Sequence, residues 1–383
     1  MANFFVSCPL HFENHLAEEI KSFWFEMMDL DGQPTRQPLP EFEIEPGGIE
    51  IKCPDHLGYQ INFFSKLALR VLIRIHRFTA RFYDQFEKEM KALPLDKWID
   101  DKNIAVKIET AKSRLNHERN LIEAATKALS GSGFKLISDA KNKIYIRIVK
   151  DNATISLDTS GDHVHKRGYS VFKGEAPIRE NLAALMVQQI YHHIKDINKI
   201  CIIDPFVGSG TTLLETASFF TPNFKRQYCW LQFKNKPKVF NSDSWIKNFR
   251  WVQNLKNVDL MGIDIDENAI ENLKQNSLLF ANSYPEISLQ LKTIVADSTE
   301  LKKEQLAAMT KPCWAISNPP YGVRLAQSSV HQAFRHLESL VDLAGAVILH
   351  PETMVIDFRN LKLSSQIDFS NQGLKLKLSV FTR

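Results

Sequence analysis

The sequence of 383 residues lacks any uninterrupted apolar run long enough to cross a membrane. Its first residues, MANFFVSCPLHFENH, lack the basic segment followed by a long apolar core that marks a secretory signal. The five cysteines are scattered and show neither the spacing of a disulfide framework nor the CxxC pairs of a zinc site. We therefore expect a cytoplasmic protein without a membrane contact and without a bound metal.

A strong excess of one charge is also missing, since the formal net charge is only +4. The charge is unevenly spread, however. Between His11 and Glu50 there are ten acidic and two basic residues, whereas Pro222–Asn257 contains eight Lys and Arg and a single acid, Asp243. We call this second stretch the basic aromatic segment because seven aromatic residues lie between its charges: Tyr228, Trp230, Phe233, Phe240, Trp245, Phe249 and Trp251. Such a composition suits nucleic-acid binding, but taken alone it favours a solvated, partly packed insertion.

The first 160 residues indicate a mixture of helices and strands without regular alternation. Helical spacing occurs at Leu16–Met28, at Lys91–Trp98 and at Glu118–Leu129. Strands are predicted in GGIEIKC, in the second half of YQINFFSKLALRVLIRIHRF, at Ile104–Thr110, and as a hairpin at Lys143–Val149 and Thr154–Thr159. We predict an α+β architecture here, divided into a ferredoxin-like segment 1–46 and a domain 47–160.

From residue 161 onward, strands and helices alternate. A helix at Pro177–Ile194 precedes the strand KICIID, and the later strands DLMGIDI, LKTIVAD, CWAISN and GAVILH are separated by helical stretches that include KKEQLAAM. Alternation of this kind predicts a doubly wound, mostly parallel sheet. We assign 161–383 to one α/β domain, with the basic aromatic segment as an insertion and a closing hairpin that turns at Gly373.

Polar residues follow four consecutive strands of this predicted sheet, in the turn DPFVGSGT, in GIDID, in ADS and in NPPY. Ligands of such sheets bind beyond the carboxyl ends of the strands. The sequence therefore predicts a cofactor site at these ends. Its candidate residues are Asp204, Pro205, Gly208, Ser209, Gly210, Thr211, Asp264, Ile265, Asp297 and Ser298.

The chemistry of these residues favours a nucleoside ligand without a polyphosphate. The turn around Gly208 lets the backbone approach a ligand closely, but Leu213 stands where a dinucleotide fingerprint has its third glycine. Asp264 can accept both hydroxyls of a ribose, and Asp297 can accept an adenine amino group. A site for ribose and adenine indicates S-adenosylmethionine (SAM) as the cofactor rather than NAD or ATP.

The sequence AISNPPYG ends the fourth strand with two prolines, which fix the backbone and remove two amide donors. The Asn318 side chain and the Pro319 carbonyl can both accept hydrogen bonds from an exocyclic amine and so direct its lone pair toward a methyl donor. Pro320 makes the acceptor geometry rigid, and Tyr321 offers a ring face on which a flipped base can stack. We predict that Asn318, Pro319, Pro320 and Tyr321 form the catalytic turn.

Through DPFVGSGT and NPPYG, the part from about Arg167 to Arg383 resembles the class I, Rossmann-like SAM-dependent methyltransferases that methylate amines. ISLDTSGDHVHKRGY followed by EAPIRENLAA is similar to the junction in bacterial 23S rRNA guanine-N2 methyltransferases. GGIEIK followed by YQINFFSKLALRVLIRI resembles the start of their THUMP domain, an RNA-binding module. The resemblance implies methyl transfer from SAM to the N2 amine of a guanine in RNA, with 23S rRNA as the first candidate.

The same resemblance carries the SAM contacts onto Asp204, Gly208, Gly210, Asp264 and Asp297, and the target-amine contacts onto the catalytic turn. The basic aromatic segment sits where these enzymes have an insertion. RNA contacts are accordingly expected at seven basic residues: Arg114, Arg119, Lys166, Arg167, Lys234, Lys236 and Lys238.

Three alternatives stay open from the sequence. NPPY does not distinguish adenine N6, cytosine N4 and guanine N2, because each presents an amine beside a ring nitrogen. The THUMP-like half is shared with tRNA guanine-N2 methyltransferases, whereas a DNA adenine methylase would be expected to have a target-recognition domain instead. The third alternative is a non-enzymatic RNA-binding assembly factor that has a SAM fold. The intact glycine and NPPY turns argue against this alternative.

Overall fold

The computed structural model describes the chain except for residues 175–176, 195, 250–257, 308, 321–326 and 372. Two compact units are formed: the first comprises Met1–Val164 and Gln227–Arg250, and the second comprises His165–Arg226 and Trp251–Arg383. This division differs from the predicted domains in two respects. No unit boundary falls at residue 46, and most of the basic aromatic segment belongs to the first unit.

The first unit is built on one sheet of eight strands in the order β2-β3-β1-β4-β8-β7-β5-β6. The strands are β1 (Ala2–Ser7), β2 (Phe42–Glu45), β3 (Gly48–Cys53), β4 (Arg70–Thr79), β5 (Asn103–Ala111), β6 (Lys135–Leu136), β7 (Asn142–Val149) and β8 (Asn152–Asp158). β1 pairs antiparallel with both β3 and β4, so residues on either side of position 46 share this sheet. That pairing explains why the predicted division at 46 is not a division between compact units.

Four helices pack with this sheet: α1 (Glu13–Phe23), α2 (Asp55–Phe64), α3 (Tyr83–Lys91) and α4 (Glu118–Ser130). The predicted helix at Lys91–Trp98 is wrong, because α3 ends at Lys91 and only a 3₁₀ turn, Leu95–Lys97, follows. Pro94 interrupts that stretch and cannot donate to a continuing helix. The predicted β7–β8 hairpin is confirmed, and Lys150 and Asp151 both take the positive φ angles of its two-residue turn.

Residues 227–249 of the basic aromatic segment, which belong to the first unit, pack onto α2. The Trp230 ring stacks on Tyr59 with 5.1 Å between ring centroids and an interplanar angle of 6°. Phe63 contacts Tyr228, Trp230 and Trp245 at centroid distances of 5.3–5.4 Å. Burial of these large rings gives the segment a core of its own with the first unit, which composition alone could not reveal.

The second unit contains a seven-stranded sheet in the order β11-β10-β9-β12-β13-β15-β14. Its strands are β9 (Cys201–Asp204), β10 (Asp259–Asp264), β11 (Leu291–Val295), β12 (Cys313–Ser317), β13 (Leu343–Pro351), β14 (Lys362–Asn371) and β15 (Leu374–Thr382). The first five strands run parallel, and β15 pairs antiparallel with β13 and β14. The predicted doubly wound, mostly parallel sheet is confirmed, including the closing hairpin, where Gly373 has φ +82°.

The helices of this unit are α5 (Glu180–His193), α6 (Thr211–Ser218), α7 (Glu267–Ser283) and α8 (Gln327–Leu340). The predicted helix in KKEQLAAM is wrong, since the described residues of this stretch form only a 3₁₀ turn at Lys303–Leu306. In the described part of the chain, no helix is both long and apolar enough to cross a membrane.

Cys201 and Cys313 lie directly opposite each other on β9 and β12 and form a disulfide. The spacing of the cysteines gave no sign of this pair. A separation of 112 residues hides the pair in the sequence, and only the strand register brings the two side chains together.

Candidate active site

The turn between β9 and α6 has a conformation that requires glycine at two positions. Gly208 has φ +52° and Gly210 has φ +85°, both in the left-handed region. A Cβ at Gly210 would lie 2.0 Å from Leu273 Cδ1, so this glycine is needed for packing against α7. A Cβ at Gly208 would have no atom within 4 Å, so this glycine borders open space.

Asp204, at the end of β9, stabilises the turn through hydrogen bonds. Its carboxylate is buried and accepts hydrogen bonds from Phe206 N (3.0 Å), Thr212 Oγ1 (2.6 Å) and Ser317 Oγ (2.7 Å). Burial raises the pKa of Asp204 to about 6, against the lowering effect of the donors. The structure therefore revises the predicted cofactor contact, because this carboxylate is enclosed by protein donors.

The Ser317 bond has a further consequence. Ser317 is the last residue of β12 and directly precedes Asn318, so one carboxylate holds both the glycine turn and the start of the predicted catalytic turn. Ser298 makes a similar connection by donating its hydroxyl to the Pro205 carbonyl at 2.6 Å. The four predicted strand ends thus meet around a single turn.

Asp264 and Asp297 remain partly open to solvent, unlike Asp204. Asp264 Oδ2 accepts from Gly208 N at 2.9 Å, which links the end of β10 to the glycine turn. Asp297 Oδ1 accepts from the amide and hydroxyl of Thr299, and its Oδ2 accepts no hydrogen bond within the described part of the chain. Beside them Ile265 is 64% exposed, which leaves an apolar surface next to two carboxylates.

At the end of β12, Asn318 Oδ1 is buried and has no hydrogen-bond partner among the described residues. A buried amide oxygen without a partner is costly and calls for an explanation. An amine donor supplied by a ligand would satisfy it. Of the other predicted catalytic residues, Pro319 is buried and Pro320 is half-buried, while Tyr321 lies outside the described residues.

Three residues that support this site were not singled out by the sequence: Thr212, Ser317 and Asn276. Asn276 lies on α7, is buried, and donates its amide to the carbonyls of Ser209 (3.0 Å) and Phe172 (2.8 Å). Thr212 and Ser317 directly follow or precede the recognised motifs, so the sequence could have indicated them. No sequence motif indicates Asn276, because its role depends on how α7 crosses the turn.

The arrangement fits a nucleoside cofactor. Open space at Gly208, a half-buried carboxylate at Asp264 for ribose hydroxyls, the exposed Ile265 for a flat apolar ring and the available oxygen of Asp297 all lie along one edge of the sheet. Thr211 is buried as the first residue of α6 and is less available to a ligand than the turn before it.

The seven predicted RNA contacts divide into surface residues and one buried residue. Arg167 is buried and makes a bidentate ion pair with Glu215 at 2.9 and 3.0 Å. Burial alone would lower the pKa of Arg167, but the Glu215 charge and hydrogen bond, together with Tyr284 and Tyr169, raise it on balance. The predicted RNA contact of Arg167 is wrong, because its guanidinium is buried and makes a bidentate ion pair with Glu215.

The other basic candidates lie at the surface. Arg119 is paired with Glu123 at 3.2 Å and Lys234 with Asp100 at 2.8 Å. The side chains of Arg114, Lys166 and Lys238 are exposed, and that of Lys236 is half-buried.

The aromatic part of the prediction is corrected for the residues that the structure describes. Six of the rings in the basic aromatic segment are at most 5% exposed: Tyr228, Trp230, Phe233, Phe240, Trp245 and Phe249. Their faces are covered by α2 and by one another, so they do not form a stacking surface for bases. The seventh, Trp251, lies outside the described residues.

Comparisons with known proteins agree with this geometry. Residues 167–342 match the model of the family UPF0020, described as an RMKL-like methyltransferase domain. The ribosomal RNA large subunit methyltransferase K/L of Colwellia psychrerythraea is 26% identical over 365 residues, which cover 88% of this chain and 46% of that protein. The chain thus spans about half the length of this relative.

Among solved structures, SMU.472, crystallised with SAH, has a TM-score of 0.74 at 21% identity and covers 100% of this chain and 98% of its own. TrmN from Thermus thermophilus has a TM-score of 0.70 at 13% identity, with both chains fully covered. At these identities the likeness shows the fold. Residues 167–342 of this chain are therefore similar to the RMKL-like methyltransferase domain that the UPF0020 model describes.

Proposed function

We propose that this protein transfers the methyl group of SAM to the exocyclic N2 amine of a guanine in RNA, with 23S rRNA as the first candidate. The observation that carries the proposal is the buried Asn318 Oδ1, which has no partner among the described residues and lies at the end of β12. Methylation of an amine requires an acceptor that orients the amine beside the methyl donor. Asn318 Oδ1 lies at the same edge of the sheet as the glycine turn and can serve as this acceptor.

The protein's own residues would act mainly by positioning. Asn318 Oδ1 and the Pro319 carbonyl would accept the two protons of the target amine and orient its lone pair, an effect that can supply several kcal/mol, at roughly 1.4 kcal/mol per tenfold in rate. Asp264 would hold the ribose of the cofactor, and Asp297 its adenine amine. When bound, SAM supplies the electrophilic methyl group on its sulfonium.

RNA is favoured as the substrate because the relative named above is an rRNA methyltransferase and the family domain is described as RMKL-like. We propose that the first unit contributes RNA binding as a THUMP-like module, that Tyr321 stacks on the target base, and that the protein works in the cytoplasm. Methylation of tRNA guanine N2, or of adenine N6 in RNA or DNA, is the alternative for the same turn.

The test is to incubate the protein with methyl-labelled SAM and separated rRNA, tRNA and DNA, and then to identify the labelled nucleoside after digestion. N2-methylguanosine in 23S rRNA is the expected product. Label in tRNA, or in N6-methyladenine, would show that the proposed substrate is wrong, but it would leave the proposed mechanism unchanged. Absence of label from every nucleic acid, with SAM bound, would favour the assembly-factor alternative.

A further inference from the structure

A cavity in the first unit lies outside the site described above. Its volume is about 540 Å³, and its lining comes from β2, β4, β7, β8 and residues at their ends: Glu45, Arg74, Arg77, Phe78, Thr79, Arg147, Val149, Asn152, Ala153 and Thr154. The cavity is on one face of the sheet. Along β7 alternate residues are buried, whereas Tyr145, Arg147 and Val149 are partly exposed, so the strand turns a polar side toward this face.

Three arginines and two glutamates share the cavity and its wall. Glu50 is buried and pairs with both Arg74, at 3.3 Å, and Arg77. Arg74 is further held by Ser156 Oγ at 3.0 Å and lies over the Phe5 ring at 4.3 Å. Arg74 is therefore fixed in place, and one carboxylate serves two guanidinium groups.

The other two arginines have donors to spare. The Arg77 side chain is 52% exposed and contacts Glu50 through one of its nitrogens only. The Arg147 side chain is 40% exposed, and its nearest carboxylate oxygen, on Glu45, is 3.6 Å away, beyond a good hydrogen bond. A guanidinium has five N–H donors, so most of the donors of this pair are unused within the described part of the chain.

The strand register places these two side chains on the same face of the sheet, on either side of one residue. Arg77 on β4 and Arg147 on β7 are both direct cross-strand partners of Thr154 on β8. The Cα atoms of the two arginines are therefore about 10 Å apart, two strand spacings, with the Thr154 hydroxyl between them. Two forked cations and a hydroxyl in this arrangement match the oxygens of one tetrahedral anion.

We propose that Arg77, Arg147 and Thr154 form a phosphate site that holds a phosphodiester group of a bound RNA strand. Glu109 on β5 is the cross-strand partner of Arg147, and Glu43 is that of Glu50, so this face has no net positive charge. The attraction for an anion would come from the guanidinium donors of Arg77 and Arg147 that no described residue uses. The choice of a polynucleotide over a free phosphate rests on the proposed function. The existence of a phosphate site rests on the geometry alone.

The experiment compares two charge-matched variants of the full chain. Arg147→Gln removes the less constrained arginine of the site, and Arg36→Gln removes an exposed arginine of the same unit outside the cavity lining. Binding of a fluorescently labelled single-stranded RNA is measured by anisotropy over a series of KCl concentrations. We expect Arg147→Gln to weaken RNA binding about tenfold and to flatten the salt slope by about 0.7, and Arg36→Gln to leave both nearly unchanged.

Arg147→Lys serves as the conservative variant, because lysine keeps the charge and loses the fork. It should restore the salt slope but only part of the affinity. Equal RNA binding by Arg147→Gln and Arg36→Gln would overturn the proposal. So would a phosphate-dependent rise in melting temperature that Arg147→Gln abolishes while RNA binding stays normal, because the ligand would then be a free phosphate. RNA binding is measured without methyl transfer, so either result is independent of the proposed activity.

Discussion

Two regions of the chain are rich in residues that suggest ligand binding, but the structure exposes these residues in one region and buries most of them in the other. At the strand-end edge of the second unit, the polar side chains of the motifs converge, and Asn318, Asp264 and Asp297 keep acceptor atoms or surface available. In the basic aromatic segment, the six rings named above are buried, while its lysines and several uncharged polar residues reach the surface. The same residue types that would bind a ligand when exposed form a core when a partner face is available.

The difference lies in what each signal constrains. A turn with glycines at fixed spacing after an apolar strand specifies backbone conformation, and four such strand ends specify one place in a parallel sheet. A mixture of lysines and aromatic residues specifies only composition. It is satisfied equally by a stacking surface and by a packed segment whose lysines point outward.

The largest expected effect is on stability. Trp230→Ala removes a fully buried ring that stacks on Tyr59, and should lower the free energy of unfolding by about 3–5 kcal/mol. Phe82→Ala, at a 55% exposed position of the same unit, is the matched control and should change it by less than about 0.5 kcal/mol. Chemical denaturation followed by circular dichroism measures both. A stable Trp230→Ala protein with weakened RNA binding would mean that the ring works as a surface.

The next effect is on the reaction. Asn318→Ala removes one of two acceptors for the target amine and should lower the single-turnover methyl-transfer rate about a hundredfold or more, with SAM affinity nearly unchanged. Asn318→Asp should be milder, because a carboxylate still accepts. If Asn318→Ala were as active as the unaltered protein, the Pro-Pro turn would be only a structural corner, and the two regions would no longer differ in function.

Much of the second unit could be predicted because its strands alternate with helices and end in recognisable turns. Asp204 was located correctly, but its role was not. Whether a strand-end carboxylate faces a ligand or its own turn depends on the donors of Thr212 and Ser317, which only the packed structure brings together. Arg167 was misread for the same reason, since its partner Glu215 is 48 residues away.

The first unit was less predictable. β1 is separated from β2 by α1 and a proline-containing loop, and β2 has only four residues, so the shared sheet across residue 46 was not apparent. The position of the basic aromatic segment depends on aromatic contacts with Tyr59 and Phe63, more than 160 residues away along the chain. Periodicity reports which face of an element is apolar, but it does not report which distant face will cover it.

A pair of glycine variants separates packing from ligand binding within one turn. Gly210→Ala places a methyl group 2.0 Å from Leu273 Cδ1 at φ +85° and should lower the free energy of unfolding by about 2 kcal/mol or more. Gly208→Ala meets no neighbour within 4 Å, so it should cost mainly the strain of a positive φ, about 1 kcal/mol. Its added methyl group should instead weaken SAM binding. Thermal denaturation and SAM titration of both variants measure these effects, and an unchanged SAM affinity of Gly208→Ala would show that Gly208 does not face the cofactor.

The smallest effect concerns the charged side of the basic aromatic segment. Replacing Lys234, Lys236 and Lys238 together by alanine should weaken RNA binding and reduce its salt slope by up to about three units. The contribution of Lys234 should be the weakest, because it already pairs with Asp100 at 2.8 Å. SAM affinity should stay the same. An unchanged salt slope would show that the segment, lysines included, is only structural.

The central claim is that the strand ends of the second unit bind SAM, and titration calorimetry of Asp264→Ala with SAM tests it most directly. Asp264 is half-buried and connects the end of β10 to Gly208, so it should hold the ribose hydroxyls. The account predicts a loss of about 1–3 kcal/mol of binding free energy in a variant that remains folded. An unchanged affinity for SAM in the folded variant would contradict it.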